Sequence, residues 1–284
     1  MKVVILGAKG MLGMELSEVF KEYKPFLLDK EDLDITDKKK VKEYLISLRP
    51  DLVINSAAWT AVDDAEKDEN RNLVMKINGF AVGEIAKICN ELGSILVHYS
   101  TDYVFSGRKR KGYLEKDTPS PLSTYGKSKY LGEKLLLENC KKFYLIRTST
   151  LFGKYGKNFV ENILSLAKER EILKVVDDHI SNPTYAKDLA LKTLEIIREK
   201  YPYGIYHITN FGYVSRFGLA KKSVDIFYEL TGKKLAKIIP CSLKEFPTLA
   251  KRPKVSILIN SKVPFLRSWQ DAVYEYISEN LKKF

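Results

Sequence analysis

The sequence predicts an α/β protein, a doubly wound parallel sheet followed by a smaller C-terminal substrate-binding lobe. Three observations carry this. Strand-like and helix-like segments alternate over more than half of the 284 residues, a glycine-rich turn joins the first strand to the first helix, and beyond Thr148 the rhythm loosens into loops rich in Gly, Asn and Pro. Repeated βα units of this kind imply a parallel sheet covered by helices on both faces.

Taken in order, Lys2–Gly7 is apolar and β-branched, a buried first strand, and Met11–Tyr23 has helical apolar spacing. Phe26–Asp29, Leu52–Asn55, Ser94–Ser100 and Phe143–Arg147 read as further strands, with helices over Val41–Leu48, Leu73–Leu92 and Leu122–Asn139. Residues 1–150 therefore form a dinucleotide-binding domain. Residues 151–284 read as a mainly substrate-binding lobe with segments returning to the main sheet. Its loops lie at Phe152–Lys157, His179–Pro183 and Asn210–Tyr213, and its helices at Ala186–Lys200, Arg216–Thr231 and Gln270–Lys282.

Composition narrows the function classes. Hydrophobic residues make up 45% and charged residues 30%, which suits a soluble globular chain. No apolar run approaches the roughly 20 residues of a membrane span, and the N-terminus lacks a signal peptide's long apolar region, so a cytoplasmic protein is expected. Cys89, Cys140 and Cys241 are scattered without a paired spacing, and His98, His179 and His207 are equally dispersed, so neither a disulfide framework nor a metal site is expected. The net charge of +12 raises the question of nucleic acid. The only dense cluster, Arg108–Lys111, comes without a nucleic-acid reader motif, and a lysine-rich solvated surface is the better reading.

Gly7-Ala8-Lys9-Gly10-Met11-Leu12-Gly13 sits between the first strand and the first helix. Glycine there permits a tight turn, close approach of a pyrophosphate and close helix–strand packing, while the helix N-terminus offers free N–H groups. The cofactor expected is therefore a nicotinamide dinucleotide. Asp29 ends the second strand, where an acid binds the adenosine ribose; Lys9 and Lys30 could instead neutralise the extra phosphate of NADP, so NADPH and NADH stay open. Asp34 and Ile35 suit an adenine-side contact, alongside helix capping by Thr36 or Asp37.

Tyr125 and Lys129 stand four residues apart at a helix start and share one face. A nearby ammonium favours the phenolate, so Lys129 is expected to lower the Tyr125 pKa and to meet the nicotinamide ribose, with Tyr125 protonating a substrate carbonyl. The same spacing recurs at Tyr130 and Lys134, but Tyr130 points about 140° away on the helix, a packing residue. Ser100-Thr101-Asp102 follows a strand, at the edge where ligands bind in open parallel sheets. The hydroxyl of Thr101 can orient the carbonyl there.

With these residues assembled, the sequence resembles the extended short-chain dehydrogenase/reductases, and more narrowly the dTDP-4-dehydrorhamnose reductase family, over nearly the whole chain. The matching segments are the glycine turn, Asn55–Asp63, Ser100–Gly107, Tyr125–Lys129 with Gly132-Glu133, Asn182–Ala186 and Arg252–Ser256. The resemblance implies a Rossmann domain with Thr101, Tyr125 and Lys129 as catalytic residues. It implies that Gly10, Met11, Leu12, Asp34, Ile35, Ala57, Ala58 and Trp59 line the cofactor, with Tyr99 flanking the nicotinamide. Asp102 and Tyr103 would meet the sugar and Arg252 the nucleotide end. The reaction implied is NAD(P)H-dependent reduction of a 4-keto group, dTDP-4-dehydro-L-rhamnose to dTDP-L-rhamnose. Related dehydratases carry Thr-Asp-Glu where this chain has Thr101-Asp102-Tyr103, which favours reduction over elimination. The family's usual sugar-packing tryptophan is replaced by Thr150, so which keto-deoxysugar is bound stays open. Other readings are another sugar-nucleotide reductase or epimerase, or a regulatory subunit of the methionine adenosyltransferase type. The family includes a magnesium-bridged homodimer, for which this sequence holds no motif.

Overall fold

Alternation along the strands sets up two cores. In β1 (Val3–Leu6), Val3 and Ile5 face one side of the sheet while Val4 and Leu6 face the other. The computed structural model describes residues 1–284. The chain continues through α1 (Met11–Val19), β2 (Phe26–Leu28), α2 (Lys38–Leu48), β3 (Leu52–Asn55), α3 (Asp68–Met75), α4 (Ala81–Leu92), β4 (Ile95–Thr101), α5 (Thr124–Asn139) and β5 (Phe143–Thr148). Next come β6 (Leu151–Phe152), α6 (Phe159–Glu169), β7 (Ile172–Val176), β8 (Ile180–Ser181), β9 (Thr184–Tyr185), α7 (Ala186–Arg198) and β10 (Gly204–His207). The chain ends with β11 (Val214–Ser215), α8 (Arg216–Thr231), β12 (Lys237–Cys241) and α9 (Trp269–Glu279).

The main sheet has six strands in the order β10-β5-β4-β3-β1-β2, every pair parallel. Leu12 and Leu16 of α1 and Leu189, Ala190, Ile196 and Ile197 of α7 cover one face. Val41 and Leu45 of α2, the apolar side of α4 and Leu136 of α5 cover the other. This is the doubly wound architecture expected. Successive connections leave β1 on opposite sides, to β2 and to β3, so a crevice opens at the carboxyl ends of β1 and β3.

Two readings change. The helix expected over 73–92 begins earlier, at Asp68, and is interrupted by a π-turn at Lys76–Phe80. Asn78 turns its amide inward there, and Gly79 lies so close to α5 that a Cβ would come within 2.6 Å of Leu131. The second change is in the C-terminal part, where α6, β7, β10 and β12 had no clear sequence signal. Strand β10 pairs with β5 in the main sheet, while β7 pairs with β12, β8 with β11 and β6 with β9 in small two-stranded sheets. Phe152, Val160, Leu219, Phe227, Trp269 and Tyr276 join α6, α8 and α9 in a separate apolar cluster. No helix is long and apolar enough to cross a membrane.

Candidate active site

A cleft of 830 Å³ runs along the carboxyl rim of the sheet from the glycine turn to Arg252. Gly7 has φ +75°, and a Cβ there would lie 2.6 Å from the Ala57 nitrogen. At Gly13 a Cβ would sit 2.1 Å from the Gly7 carbonyl oxygen, so only glycine lets α1 press onto the strand end. No side chain caps α1, which leaves the N–H groups of its first turn free for a ligand, and Gly10, Met11 and Leu12 line the cleft. This bare cradle fits a dinucleotide pyrophosphate.

Further along the crevice, the Asp29 carboxylate accepts the Lys9 N–H at 2.9 Å and the Lys30 N–H at 2.7 Å. The Lys9 ammonium pairs with Glu31 in solvent. Asp34 accepts both the N–H and the hydroxyl of Thr36, while Asp37 caps α2. Asp29, Asp34, Ile35, Ala57 and Ala58 all line the cleft.

Trp59 does not. Its indole N–H donates back to the Ala61 carbonyl at 3.0 Å, which ties the ring to its own loop. Asn78 accepts the Trp59 N–H at 2.9 Å, donates to the Trp59 carbonyl at 3.0 Å, and donates to the Ser128 hydroxyl at 3.0 Å. The π-turn thus clamps the cofactor-side loop to α5.

Helix α5 starts at the Ser123 cap, and Gly126 lies against the turn that follows β4, where a Cβ would meet the Tyr103 carbonyl at 2.3 Å. That contact sets Tyr125 beside Thr101, the last residue of β4. Both residues line the cleft, the Thr101 hydroxyl donates to Asp102 at 3.0 Å, and the Tyr125 and Tyr103 rings meet edge-on at 5.8 Å. Lys129, buried one turn on, donates to the Tyr99 carbonyl at 2.6 Å. Tyr130 packs instead beside Phe105 and Tyr113, outside the cleft.

The electrostatics depart from the simple expectation. Burial pushes the Tyr125 phenol upward, with the nearby Thr101 hydroxyl opposing, and Lys129 has no resolved influence on it. Lys129 is itself lowered to about 8 by burial, with Glu133 opposing. Turned toward the Tyr99 carbonyl, the ammonium does not make Tyr125 a phenolate. The Tyr125 phenol is neutral. The Tyr99 phenol points into the core and shares a hydrogen bond with Thr193 at 2.8 Å, so the residue's polar contribution on the Lys129 side is its carbonyl.

Asp102, Tyr103 and Arg252 lie in a linked set. Asp102 accepts from Thr101 at 3.0 Å and from Ser256 at 2.5 Å; burial raises its pKa, with these hydroxyls opposing. Arg252 donates to the Tyr103 hydroxyl at 3.1 Å and to Asp63 at 2.5 Å. Thr150 lines the cleft in a left-handed conformation, φ +42°, braced by Ser181 at 2.7 Å.

The family model described as RmlD substrate binding domain matches residues 1–282. The chain belongs to the RmlD family. It is 37% identical to the dTDP-4-dehydrorhamnose reductase of Aggregatibacter actinomycetemcomitans, over 100% of this chain and 99% of that protein. The solved dTDP-4-dehydrorhamnose reductase of Bacillus anthracis, in complex with NADP, is 38% identical with a TM-score of 0.91, covering 98% of this chain and 100% of that one. The Clostridium acetobutylicum protein gives 38% and 0.92, covering 99% and 100%.

Sequence reasoning missed several residues that build this RmlD-family site. Asn78 had a signal only in the Asn-Gly pair inside a helical pattern. Glu133 and Arg147 form a buried ion pair, Nε to Oε1 at 2.9 Å and Nη2 to Oε2 at 2.7 Å, and Ser100 donates to the same carboxylate at 2.5 Å. This locks α5 to β4 and β5. Arg216 also lines the cleft. It is one of 48 lysines and arginines, and no local pattern marks it.

Proposed function

We propose that this chain reduces the 4-keto group of a dTDP-linked deoxysugar, dTDP-4-dehydro-L-rhamnose to dTDP-L-rhamnose, using NADPH or NADH. The observation that carries the proposal is that Tyr125, its phenol kept neutral by burial, lines with Thr101 and Lys129 the cleft that starts at the glycine turn. The family and the named relatives support the substrate class.

When bound, the reduced nicotinamide supplies a hydride to the carbonyl carbon. The protein supplies the rest. Gly7, Gly10, Met11 and Leu12 would hold the pyrophosphate, with Asp29, Asp34, Ile35, Ala57 and Ala58 along the adenosine side. The Thr101 hydroxyl orients the carbonyl, and Tyr125 Oη transfers its proton to the carbonyl oxygen as charge develops there. Lys129, charged below about pH 8, would meet the nicotinamide ribose and position the ring. With Tyr103 in place of a carboxylate, the sugar side lacks a second acid for elimination. Asp102 is held by Thr101 and Ser256, which suits it to orient a sugar hydroxyl. Three free thiols suit a reducing compartment such as the cytoplasm.

The test is absorbance at 340 nm with the keto-sugar nucleotide. One cofactor oxidised per sugar alcohol formed is expected. Conversion without net cofactor loss would make the chain an epimerase instead.

A further inference from the structure

Four arginines are buried or half-buried, and three of them have carboxylate partners. Arg147 pairs with Glu133, Arg252 with Asp63, and Arg267 with Asp188 and Glu275. Arg216 makes no ion pair, and its guanidinium has no hydrogen bond within the protein. It lies 4.8 Å over the Phe159 ring, and both residues line the cleft, as do Lys157 and Arg252. The nearest acid, Asp102, is occupied by Ser256 and Thr101. Burial and the neighbouring Arg252 charge both disfavour the Arg216 cation. His179, edge-on to Tyr103, is held neutral at about 3 by burial and by the same two guanidinium groups. A positive charge left without an anion in a walled site is costly unless a ligand brings one.

We infer that Arg216, with Arg252, binds the diphosphate of the sugar-nucleotide substrate. The inference rests on the function proposed above. The spacing agrees with the chemistry. The Tyr103 ring lies between, facing Tyr125 at 5.8 Å while its hydroxyl meets Arg252. In a hexopyranose, the carbon to be reduced and the carbon bearing the diphosphate sit across the ring from each other. The cofactor's own pyrophosphate has a separate seat at the first turn of α1. Arg216 lines the cleft from a different element, at the start of α8.

The experiment compares Arg216→Met, which keeps packing on Phe159, with Arg216→Lys, by titration calorimetry against dTDP, thymidine and NADPH. Losing a charged hydrogen-bonding partner of a diphosphate is expected to weaken dTDP about 10- to 100-fold in the methionine variant and less in the lysine variant. Thymidine and NADPH affinities are expected to stay within about threefold of wild type. For the keto-sugar nucleotide, KM is expected to rise much more than kcat falls. Unchanged dTDP affinity, an equal loss for thymidine, or a loss for NADPH would each overturn the assignment. Wild-type enzyme without sugar-dependent cofactor oxidation would count against the proposed function, whereas the dTDP ratio between variant and wild type reports on Arg216 itself.

Discussion

Arg147→Met tests how the catalytic helix is held. Glu133 and Arg147 are 0% and 2% exposed, and three of the hydrogen bonds that hold them end on the Glu133 carboxylate, two from Arg147 and one from Ser100. Removing the guanidinium leaves a charge in the core with only the Ser100 hydroxyl to satisfy it. Breaking such a pair costs about 3–5 kcal/mol, against the small gain from burying methionine. At roughly 2–4 °C per kcal/mol for a chain of this class, the melting temperature should fall by about 10 °C. The Glu133→Leu/Arg147→Met double variant removes both charges and should recover most of that loss, giving a large coupling in a double-mutant cycle. The assay is thermal unfolding by circular dichroism, with turnover measured on the protein that remains folded. A loss under about 1 kcal/mol for Arg147→Met, or a double variant no better than the single, would refute the reasoning.

Asn78→Ala leaves the Trp59 N–H and carbonyl and the Ser128 hydroxyl without their shared partner. A stability loss of about 1–3 kcal/mol and weaker cofactor binding are expected, read by denaturant titration and cofactor fluorescence. Gly13→Ala drives a Cβ onto the Gly7 carbonyl oxygen, so α1 must shift; NADPH affinity should fall at least tenfold in a direct binding titration, about 1.4 kcal/mol. Lys129 titrates at about 8, so kcat/KM for keto reduction should decline as pH rises through that value and the ammonium is lost. Its native pKa lies below the unfolded 10.5, so the native state binds fewer protons than the unfolded chain between the two values. Lys129 therefore lowers stability fully below about pH 8, a penalty that fades toward 10.5. Lys129→Met should accordingly be inactive while gaining stability relative to wild type most at low pH, measured by denaturation across the range.

The sheet was readable because its order is written in local pattern. Val3 to Leu6 alternate between two cores, and the glycine turn marks the crossover into α1. The placement of Thr101, Tyr125 and Lys129 in one cleft was readable because β4 ends at the first and one helical turn aligns the other two. The C-terminal strands were not, because β8, β9 and β11 are two residues long and exist only through partners far along the chain. The turn of the Trp59 indole back onto its own loop had no sequence signal, because it depends on the Ala61 carbonyl. The charge state of Tyr125 failed for a different one. Helix spacing puts Lys129 one turn away, but burial, with the Asp102 charge adding, holds the phenol neutral.

Single-turnover reduction by Tyr125→Phe, preloaded with cofactor and mixed with the keto-sugar nucleotide, is the most direct measurement. The rate should drop about 10²- to 10⁴-fold with cofactor affinity unchanged, while Tyr130→Phe stays near wild type. A Tyr125→Phe enzyme that turns over at the wild-type rate, or a larger loss from Tyr130→Phe, would contradict a phenol at the Thr101 rim as the proton donor.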